Sequence, residues 1–322
     1  MADNSNASLK DAATRRRHYR RDPITDAAPI QTQDPRPVVR RDVRCDVPRA
    51  RGQVTLAVAA EGTGDGVGEA VGPTRLKRLR QAGSLKCLFP RADPPGIDAV
   101  LVNTAGGITG GDRFEIAAQV GAGARLTLTT QAAERAYAAQ PGETGRLTTR
   151  LDVAAGARLD WIPQETILFD RAALTRRLTL TLAPGATALV AEPMIFGRTA
   201  TGEVLRAGAF SDRIEIRRDG RLLYLDALRL EGNIAAGLDR PHGANGARAL
   251  VSLVYVGADA EALVAPARAL LPETGGASLI GADVLALRIL AEGGFELRRS
   301  LVPLLAFLTR RPGGDLPKPW MI

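Results

Sequence analysis

The segment 104–112 has the composition of a binding loop. It reads Thr-Ala-Gly-Gly-Ile-Thr-Gly-Gly-Asp, and four glycines in six positions permit positive φ angles and close approach of another group. A phosphate-cradling loop is one interpretation, which would make the chain a phosphate- or nucleotide-binding protein. The spacing matches neither GxGxxG nor the Walker pattern, and a strand rather than a helix follows at Arg113. The pattern therefore favours a tight turn or bulge between strands.

Five carboxylates near the ends of strand-like segments form a second candidate site. Asp112 closes the glycine-rich segment, three others (Glu134, Glu165 and Glu192) follow strands of the repeats, and Glu203 lies in a later loop. If the strands stack, these side chains gather along one channel or edge, where oxygen ligands suit a metal contact. The alternative is ion pairing with neighbouring arginines such as Arg198, and for any single carboxylate this alternative is favoured.

The side chains that most often carry catalysis are scarce. The two histidines are His18, near the N-terminus, and His242, in a Pro/Gly loop, and the sequence has no GxSxG, CxxC or HxxxH motif. Cys87 lies inside an apolar run, where a small core residue is expected. The standard catalytic sets and zinc-binding motifs are therefore missing from the sequence.

A pattern that recurs three times predicts the scaffold that positions these residues. Each unit has an alternating apolar/polar run, a small-residue turn and another alternating run, in residues 114–130, 147–162 and 178–191. Alternation with a period of two indicates strands with one buried face. A recurrence of roughly 30 residues indicates units that bury one another's apolar edges. The predicted fold is mainly β, with stacked β-hairpins in β-helix-like layered sheets.

The C-terminal third adds helices to this scaffold. Residues 258–271 have apolar positions at helical spacing, and residues 301–309 form a second predicted helix, so about two helices are expected there. Residues 279–290 are interpreted as a strand. The Asp219-Gly220 step favours a tight hairpin turn.

Charge divides the chain of 322 residues into two regions. The net charge is +8, and residues 1–51 hold twelve Lys/Arg against seven Asp. Few apolar residues and many charges predict a disordered, Arg-rich extension over 1–51, followed by a single β domain over 52–322. The arginines of the extension could contact phosphates, but no base-stacking aromatics accompany them, so nucleic-acid binding is not expected.

The sequence also indicates the compartment. No apolar run reaches the roughly 18 residues of a membrane span, and the N-terminus lacks the apolar core of a signal peptide. Two cysteines, Cys45 and Cys87, cannot form a disulfide framework. A soluble cytoplasmic protein without membrane attachment is expected.

Several blocks, taken together, resemble one known family. They are residues 103–113, 129–137, 159–169, 196–203 and 316–320. In composition and order these blocks are similar to the motifs of the UreD (also called UreH) urease accessory proteins. The resemblance covers the chain from about residue 52 to its end.

This resemblance implies a function and a set of partners. UreD proteins are non-enzymatic chaperones that bind the urease apoprotein and, with UreF and the GTPase UreG, load nickel into its active site. Their fold is a β-helix-like stack with two helices, and they are thought to provide a passage for nickel. A heteromeric complex with UreF, UreG and urease is therefore expected.

The composition suits transient rather than tight binding of nickel. Tight nickel sites favour imidazole and thiolate ligands, and two histidines and two cysteines can hardly build one. Weak oxygen contacts suit a passage, because an ion that is held tightly would not move on. We expect transient Ni²⁺ contacts at Asp112 and Glu203, with Glu134 and Glu165 as lesser candidates.

The C-terminal tail is the candidate partner surface. Residues 316–322 carry apolar groups, among them Trp320 and Ile322, that could dock UreF. The alternative is that they cap the open end of the β stack, as solenoids commonly require.

Overall fold

Alternating sequences fold into two sheets that face each other. A computed structural model describes residues 48–62, 72–91, 96–198, 201–310 and 315–321. In β1 (Arg51–Ala60) every second residue is buried, and Val54 and Leu56 have no exposed surface. The same period governs most strands of the first sheet, so one face of that sheet is apolar and the other polar.

Sheet A has seven strands, in the spatial order β14-β13-β11-β8-β5-β1-β2. Besides β1, its strands are β2 (Thr74–Gly83), β5 (Arg113–Val120), β8 (Gly145–Val153), β11 (Ala173–Leu182), β13 (Ala209–Arg218) and β14 (Arg221–Glu231).

Sheet B has ten strands, eight of them in the order β16-β17-β15-β12-β9-β6-β4-β3, with β10 and β7 pairing off this path. Its strands are β3 (Leu85–Leu88), β4 (Ile97–Asn103), β6 (Arg125–Thr130), β7 (Glu134–Ala136), β9 (Arg158–Trp161), β10 (Thr166–Leu168), β12 (Thr187–Phe196), β15 (Ala249–Val256), β16 (Gly275–Ile280) and β17 (Val284–Ala291).

The predicted β-helix-like class is confirmed, but the two strands of each repeat do not pair as a hairpin. Each repeat places its first strand in sheet A and its second in sheet B. The first strands β5, β8 and β11 pair in parallel with one another, as do the second strands β6, β9 and β12. The turns between them contain Gly123, Gly156 and Gly185, all at positive φ. Alternation is the same in a hairpin and in such an arch, so the pattern could not distinguish them.

Three helices follow the repeats within the described residues: α1 (Ile234–Asp239), α2 (Ala260–Ala269) and α3 (Gly294–Thr309). The predicted helix over 258–271 corresponds to α2. The predicted helix over 301–309 is the second half of α3, which begins seven residues earlier at Gly294. The short helix α1 was not predicted, because six residues give too little periodicity to detect. The strand expected over 279–290 is divided between β16 and β17.

Two apolar cores stabilise the layers. The first lies between the sheets and contains Leu56, Leu128 and Leu180, all with no exposed surface. The second lies between sheet B and the helices α2 and α3, where Leu253 and Leu301 are equally buried. Most of the space between the sheets is therefore packed with apolar side chains.

Other expectations concern particular segments. Cys87 is 4 % exposed and belongs to the first core, as predicted. The proposed extension lies, up to residue 47, outside the described residues, and β1 begins at Arg51. In the part of the chain that is described, no helix combines the length and apolarity that a membrane crossing requires.

Candidate functional site

A polar group interrupts the core between the sheets. The inward positions of four adjacent strands of sheet A align in one row, in which Phe114 lies beside Leu147, Leu147 beside Arg176, and Arg176 beside Asp212. The first two are apolar, whereas Arg176 and Asp212 are charged and only 5 % and 8 % exposed. A buried charge is costly unless it is paired and hydrogen-bonded, so this row requires a compensating network.

Arg176 supplies that network by bridging the two sheets. Its guanidinium donates to both Asp212 oxygens, at 3.2 Å and 2.6 Å, and to the Thr166 hydroxyl at 2.9 Å. It also pairs with Glu192 of sheet B, with 2.8 Å between Nη1 and Oε2. The side chain lies over the ring of Phe210, 5.4 Å from its centroid. One cation therefore holds two carboxylates that come from opposite sheets.

Glu192 has a second partner in the core. Its Oε1 accepts a hydrogen bond of 2.7 Å from the indole Nε1 of Trp161. Burial raises the pKa of Glu192, and the attraction of Arg176 opposes that rise. The carboxylate therefore lies in a low-dielectric environment but keeps two directed contacts.

A cavity of about 240 Å³ opens beside this network. Glu192, Arg176 and Thr166 line one part of it, and Glu134 and Gln164 line another. The Nε2 of Gln164 is buried and has no hydrogen-bond partner among the described residues. A buried unpaired amide next to a space of this size indicates a site for water or a polar ligand.

Glu134 is the second carboxylate of the cavity. Both of its oxygens accept from the Asn103 amide, at 3.2 Å and 3.1 Å, and the backbone N–H of Arg135 donates to Oε1 at 3.2 Å. Burial raises the pKa of Glu134, and the hydrogen bond from Asn103 opposes that shift. With no basic side chain hydrogen-bonded to it among the described residues, Glu134 keeps lone pairs for a cation.

Polar side chains continue on the other side of Glu192, and we call the whole series from Glu134 to Asp226 the polar row. Ser252 lies directly opposite Glu192 in the register of β12 and β15. Its hydroxyl donates to Asp226 at 3.0 Å and accepts from Arg288 at 3.2 Å, and Arg288 also contacts Asp226. Polar groups thus follow one another from Glu134 to Asp226 between layers that are otherwise apolar.

Comparisons with known proteins identify the family to which this chain belongs. The family described as UreD urease accessory protein matches residues 51–320. The chain belongs to the UreD family. It is similar to the urease accessory protein UreD of Ruegeria pomeroyi, with 55 % identity over 247 residues that cover 77 % of this chain and 95 % of that protein.

Two further UreD proteins show the same relationship. The protein of Roseobacter denitrificans is 48 % identical over 277 residues, covering 86 % of this chain and 97 % of the relative. The protein of Rhizobium etli is 44 % identical over 250 residues, covering 77 % and 90 %. The chain is therefore an accessory protein of urease, and the cavity described above belongs to a UreD protein.

In this UreD protein, Asp112 has a local structural role. It is 4 % exposed, its Oδ1 accepts from the N–H of Ala50 at 2.7 Å, and its Oδ2 accepts from the N–H of Thr109 at 2.8 Å. These bonds tie the glycine-rich segment to the residue before β1. Asp112 does not line the cavity between the sheets.

The glycine-rich segment itself is a turn in the structure. Most of its backbone N–H groups donate within the protein, for example Ile108 to the carbonyl of Arg135 at 2.7 Å. Gly107 is required for packing, since a Cβ there would lie 2.3 Å from the ring of Tyr137. Few N–H groups remain to cradle a phosphate, which favours the turn over the phosphate- or nucleotide-binding alternative.

The other two predicted carboxylates form ion pairs and do not line the cavity. Glu203 pairs with Arg198, with 3.1 Å between Oε2 and Nε, and the hydrogen bond from Arg198 lowers the pKa of Glu203. Glu165 is 7 % exposed and accepts from Arg298 of α3 at 3.2 Å. Of the four predicted metal contacts, only Glu134 lines the cavity, and among the described residues no three His, Cys, Asp or Glu side chains converge on a metal site.

The C-terminal tail packs against the fold. Trp320 is 2 % exposed, its Nε1 donates to the carbonyl of Ile162 at 2.9 Å, and Arg298 lies 4.9 Å from the indole centroid. The tail folds back over the second core, so the burial of Trp320 favours the capping alternative, and docking of UreF stays a prediction. Ile322 lies outside the described residues, so its role in partner binding stays a prediction.

Sequence reasoning missed Arg176 and Asp212, and it identified Glu192 only as one of the carboxylates that follow a strand of the repeats. A signal for the first two was present, since Leu174, Arg176 and Leu178 alternate in phase, and Asp212 lies between Phe210 and Ile214 in the same way. A charged residue at an inward position of an alternating strand indicates a buried polar network. Glu192 gave no such signal, because β12 is buried on both faces.

Proposed function

We propose that this chain is a non-enzymatic chaperone that binds the urease apoprotein, acts with UreF and UreG, and assists the insertion of nickel. Family membership supports the urease role. The cavity between the sheets supports a route for the metal, because two carboxylates and several other polar groups line it next to an apolar core. This observation carries the proposal.

The charges along the polar row favour a cation in transit. Four carboxylates, those of Glu134, Glu192, Asp212 and Asp226, accompany three guanidinium groups, those of Arg135, Arg176 and Arg288. The remaining excess of negative charge attracts Ni²⁺, while the arginines and the lack of imidazole or thiolate groups among the residues that line the cavity prevent tight capture. Nickel is the cargo here, and no resident metal is required.

The raised pKa values of Glu134 and Glu192 have a consequence for the cargo. A metal ion competes with protons for these carboxylates, so a higher pKa makes nickel binding weaker at lower pH. We expect nickel delivery to decline as the pH falls toward the raised pKa values. A passage of exposed carboxylates with ordinary pKa values would decline only in more acidic buffer.

The direct test is a double variant, Glu134→Gln plus Glu192→Gln, co-expressed with urease and the accessory proteins. Nickel per urease active site is measured by mass spectrometry, and complex assembly by size-exclusion chromatography. We expect several-fold less nickel with normal assembly. Glu261→Gln on the exposed face of α2 is the matched control and should leave nickel content unchanged. Full nickel content in the double variant would refute the passage.

The expectation for Asp112 and Glu203 is tested separately. Asp112→Ala plus Glu203→Ala should lower the nickel content of urease if both contact the metal on its way to or from the cavity. If nickel content is unchanged while assembly is normal, that assignment is wrong. Loss of assembly alone would instead agree with the structural contacts of Asp112 with Ala50 and Thr109.

A further inference from the structure

The outer face of sheet A is the one broad sheet face that no described element covers. The inner faces of both sheets enclose the first core, and α2 and α3 cover the outer face of sheet B at the strands β12, β15, β16 and β17. On the outer face of sheet A, the outward residues of β5, β8 and β11 are exposed or half-buried. This face is polar, and its charged side chains are open to solvent.

Arginines align on this face in the register of the sheet. Arg51, Arg113 and Arg146 lie side by side on β1, β5 and β8. Neighbouring strands are about 4.8 Å apart, so three like charges lie in a row, an arrangement that is unfavourable without a counter-charge. Arg150 and Arg177 lie on the same face, on β8 and β11, and are exposed as well.

These five arginines have no partner in the part of the chain that the structure describes. Among the described residues, the guanidinium groups of Arg51, Arg113, Arg146, Arg150 and Arg177 make no hydrogen bond or ion pair, whereas Arg213 and Arg217 farther along the sheet both pair with Glu215. The carboxylates that share the central strands are Glu115 and Asp152. The centre of the face, which we call the arginine face, therefore carries a surplus of positive charge.

An apolar margin borders the arginine face. Leu222 and Leu225 of the edge strand β14 are 48 % and 43 % exposed. They lie opposite Arg217 and Glu215 in the register of β13 and β14. Exposed leucines beside a charged face are typical of a protein interface, in which apolar contact adds affinity and charge complementarity adds specificity.

We propose that the arginine face is the docking surface for a folded partner protein whose contact surface is rich in Asp and Glu. Parallel strands in register hold the arginines in fixed rows, and their unpaired guanidinium groups match carboxylates. No aromatic residue points outward from β1, β5, β8, β11 or β13, so the face lacks the platforms on which nucleic-acid bases stack. This inference depends on the proposed function only in requiring a protein partner.

The test uses the purified full chain and the cognate urease apoprotein as the probe. Arg113→Glu plus Arg146→Glu reverses two charges at the centre of the face. We expect this variant to bind on the order of tenfold more weakly at low salt, with a smaller salt dependence, because complementary charges mainly accelerate association. Binding is measured by biolayer interferometry in low and high sodium chloride.

Two controls make the result specific. Arg240→Glu plus Arg299→Glu makes the same change in net charge at exposed positions outside the face and should bind as the unaltered chain does. Arg113→Gln plus Arg146→Gln removes the charges without reversal, and should bind with intermediate affinity. Circular dichroism melts show whether the variants are folded. If the Glu double variant is unfolded, the binding of the Gln double variant decides the test.

The possible outcomes separate the two proposals. Equal affinity of the face variant and the unaltered chain, or equal loss in the control pair, would overturn the docking surface and leave the proposed function intact. Face-dependent binding of a short RNA or duplex DNA, with unchanged binding of the apoprotein, would also overturn it. If the unaltered chain does not bind the apoprotein at all, the proposed function fails and the docking surface falls with it.

Discussion

Replacing Arg176 with leucine isolates the contribution of the buried network. The side chain is 5 % exposed and neutralises two carboxylates, Asp212 and Glu192, that are themselves buried. Removing one partner of a buried ion pair costs about 3–5 kcal/mol, because the remaining charge is left without compensation. Here two charges lose their partner, so we expect a loss at the upper end of that range. At roughly 2–4 °C per kcal/mol, a loss of about 5 kcal/mol should lower the melting temperature by about 10–20 °C.

The pH dependence distinguishes an electrostatic loss from a packing loss. Without Arg176, Glu192 loses the attraction that opposes the effect of burial, so its pKa in the folded state lies well above that of the unfolded chain. A carboxylate with a raised pKa is least costly below its unfolded pKa, and its cost grows as the pH rises through the folded value. The difference in unfolding free energy between Arg176→Leu and the unaltered protein should therefore be largest near neutral pH and shrink toward pH 4.

Urea denaturation followed by circular dichroism at several pH values is the assay. The triple variant Arg176→Leu, Asp212→Asn and Glu192→Gln removes the unpaired charges and should recover part of the loss at neutral pH. A loss for Arg176→Leu that is below about 1 kcal/mol, or that does not change with pH, would refute the view that Arg176 compensates two buried carboxylates. A triple variant as unstable as the single one would identify packing as the cause.

Three further perturbations test other parts of the fold. Trp320→Ala should lower the unfolding free energy by about 3–5 kcal/mol, measured in urea, because it removes a large buried side chain. Gly83→Ala should cost about 2 kcal/mol or more, since Gly83 has a φ of +63° and a Cβ would lie 1.9 Å from the carbonyl oxygen of Arg51. Cys87 should resist iodoacetamide at pH 8 in the native protein and react in urea, because burial raises the pKa of its thiol to about 12.

Each of these has a result that contradicts it. An unchanged unfolding curve for Trp320→Ala, with weaker binding of UreF, would show that the tail serves docking rather than capping. Gly83→Asn is the control for Gly83→Ala, because asparagine tolerates positive φ but its Cβ meets the same clash. If Gly83→Asn is as stable as the unaltered protein, the clash is excluded. For the protection of Cys87, mass spectrometry of a Cys45→Ser variant follows the labelling of Cys87 alone. Rapid labelling of the native protein would mean that the Cys87 thiol is accessible.

The sequence by itself determined the strands and the direction in which their side chains point. Alternation in β1, β5, β8 and β11 identifies the inward residues, since successive side chains of a strand point to opposite faces. The same rule assigns Arg176 and Asp212 to the core. The family resemblance was also present in the sequence, because its motifs occur in order along the chain.

Only the tertiary structure decided which strands pair and which polar groups meet. A glycine turn joins two strands equally well as a hairpin or as an arch between sheets, and the local sequence is the same in both. The choice of an arch brings Arg176 of sheet A against Glu192 of sheet B and leaves Asp112 and Glu203 elsewhere. The burial of Trp320 is a second example, because the sequence of an apolar tail does not show whether α3 and sheet B form a surface that buries it. These contacts join residues far apart in sequence, so their formation depends on the stacking of whole layers, which no local pattern records.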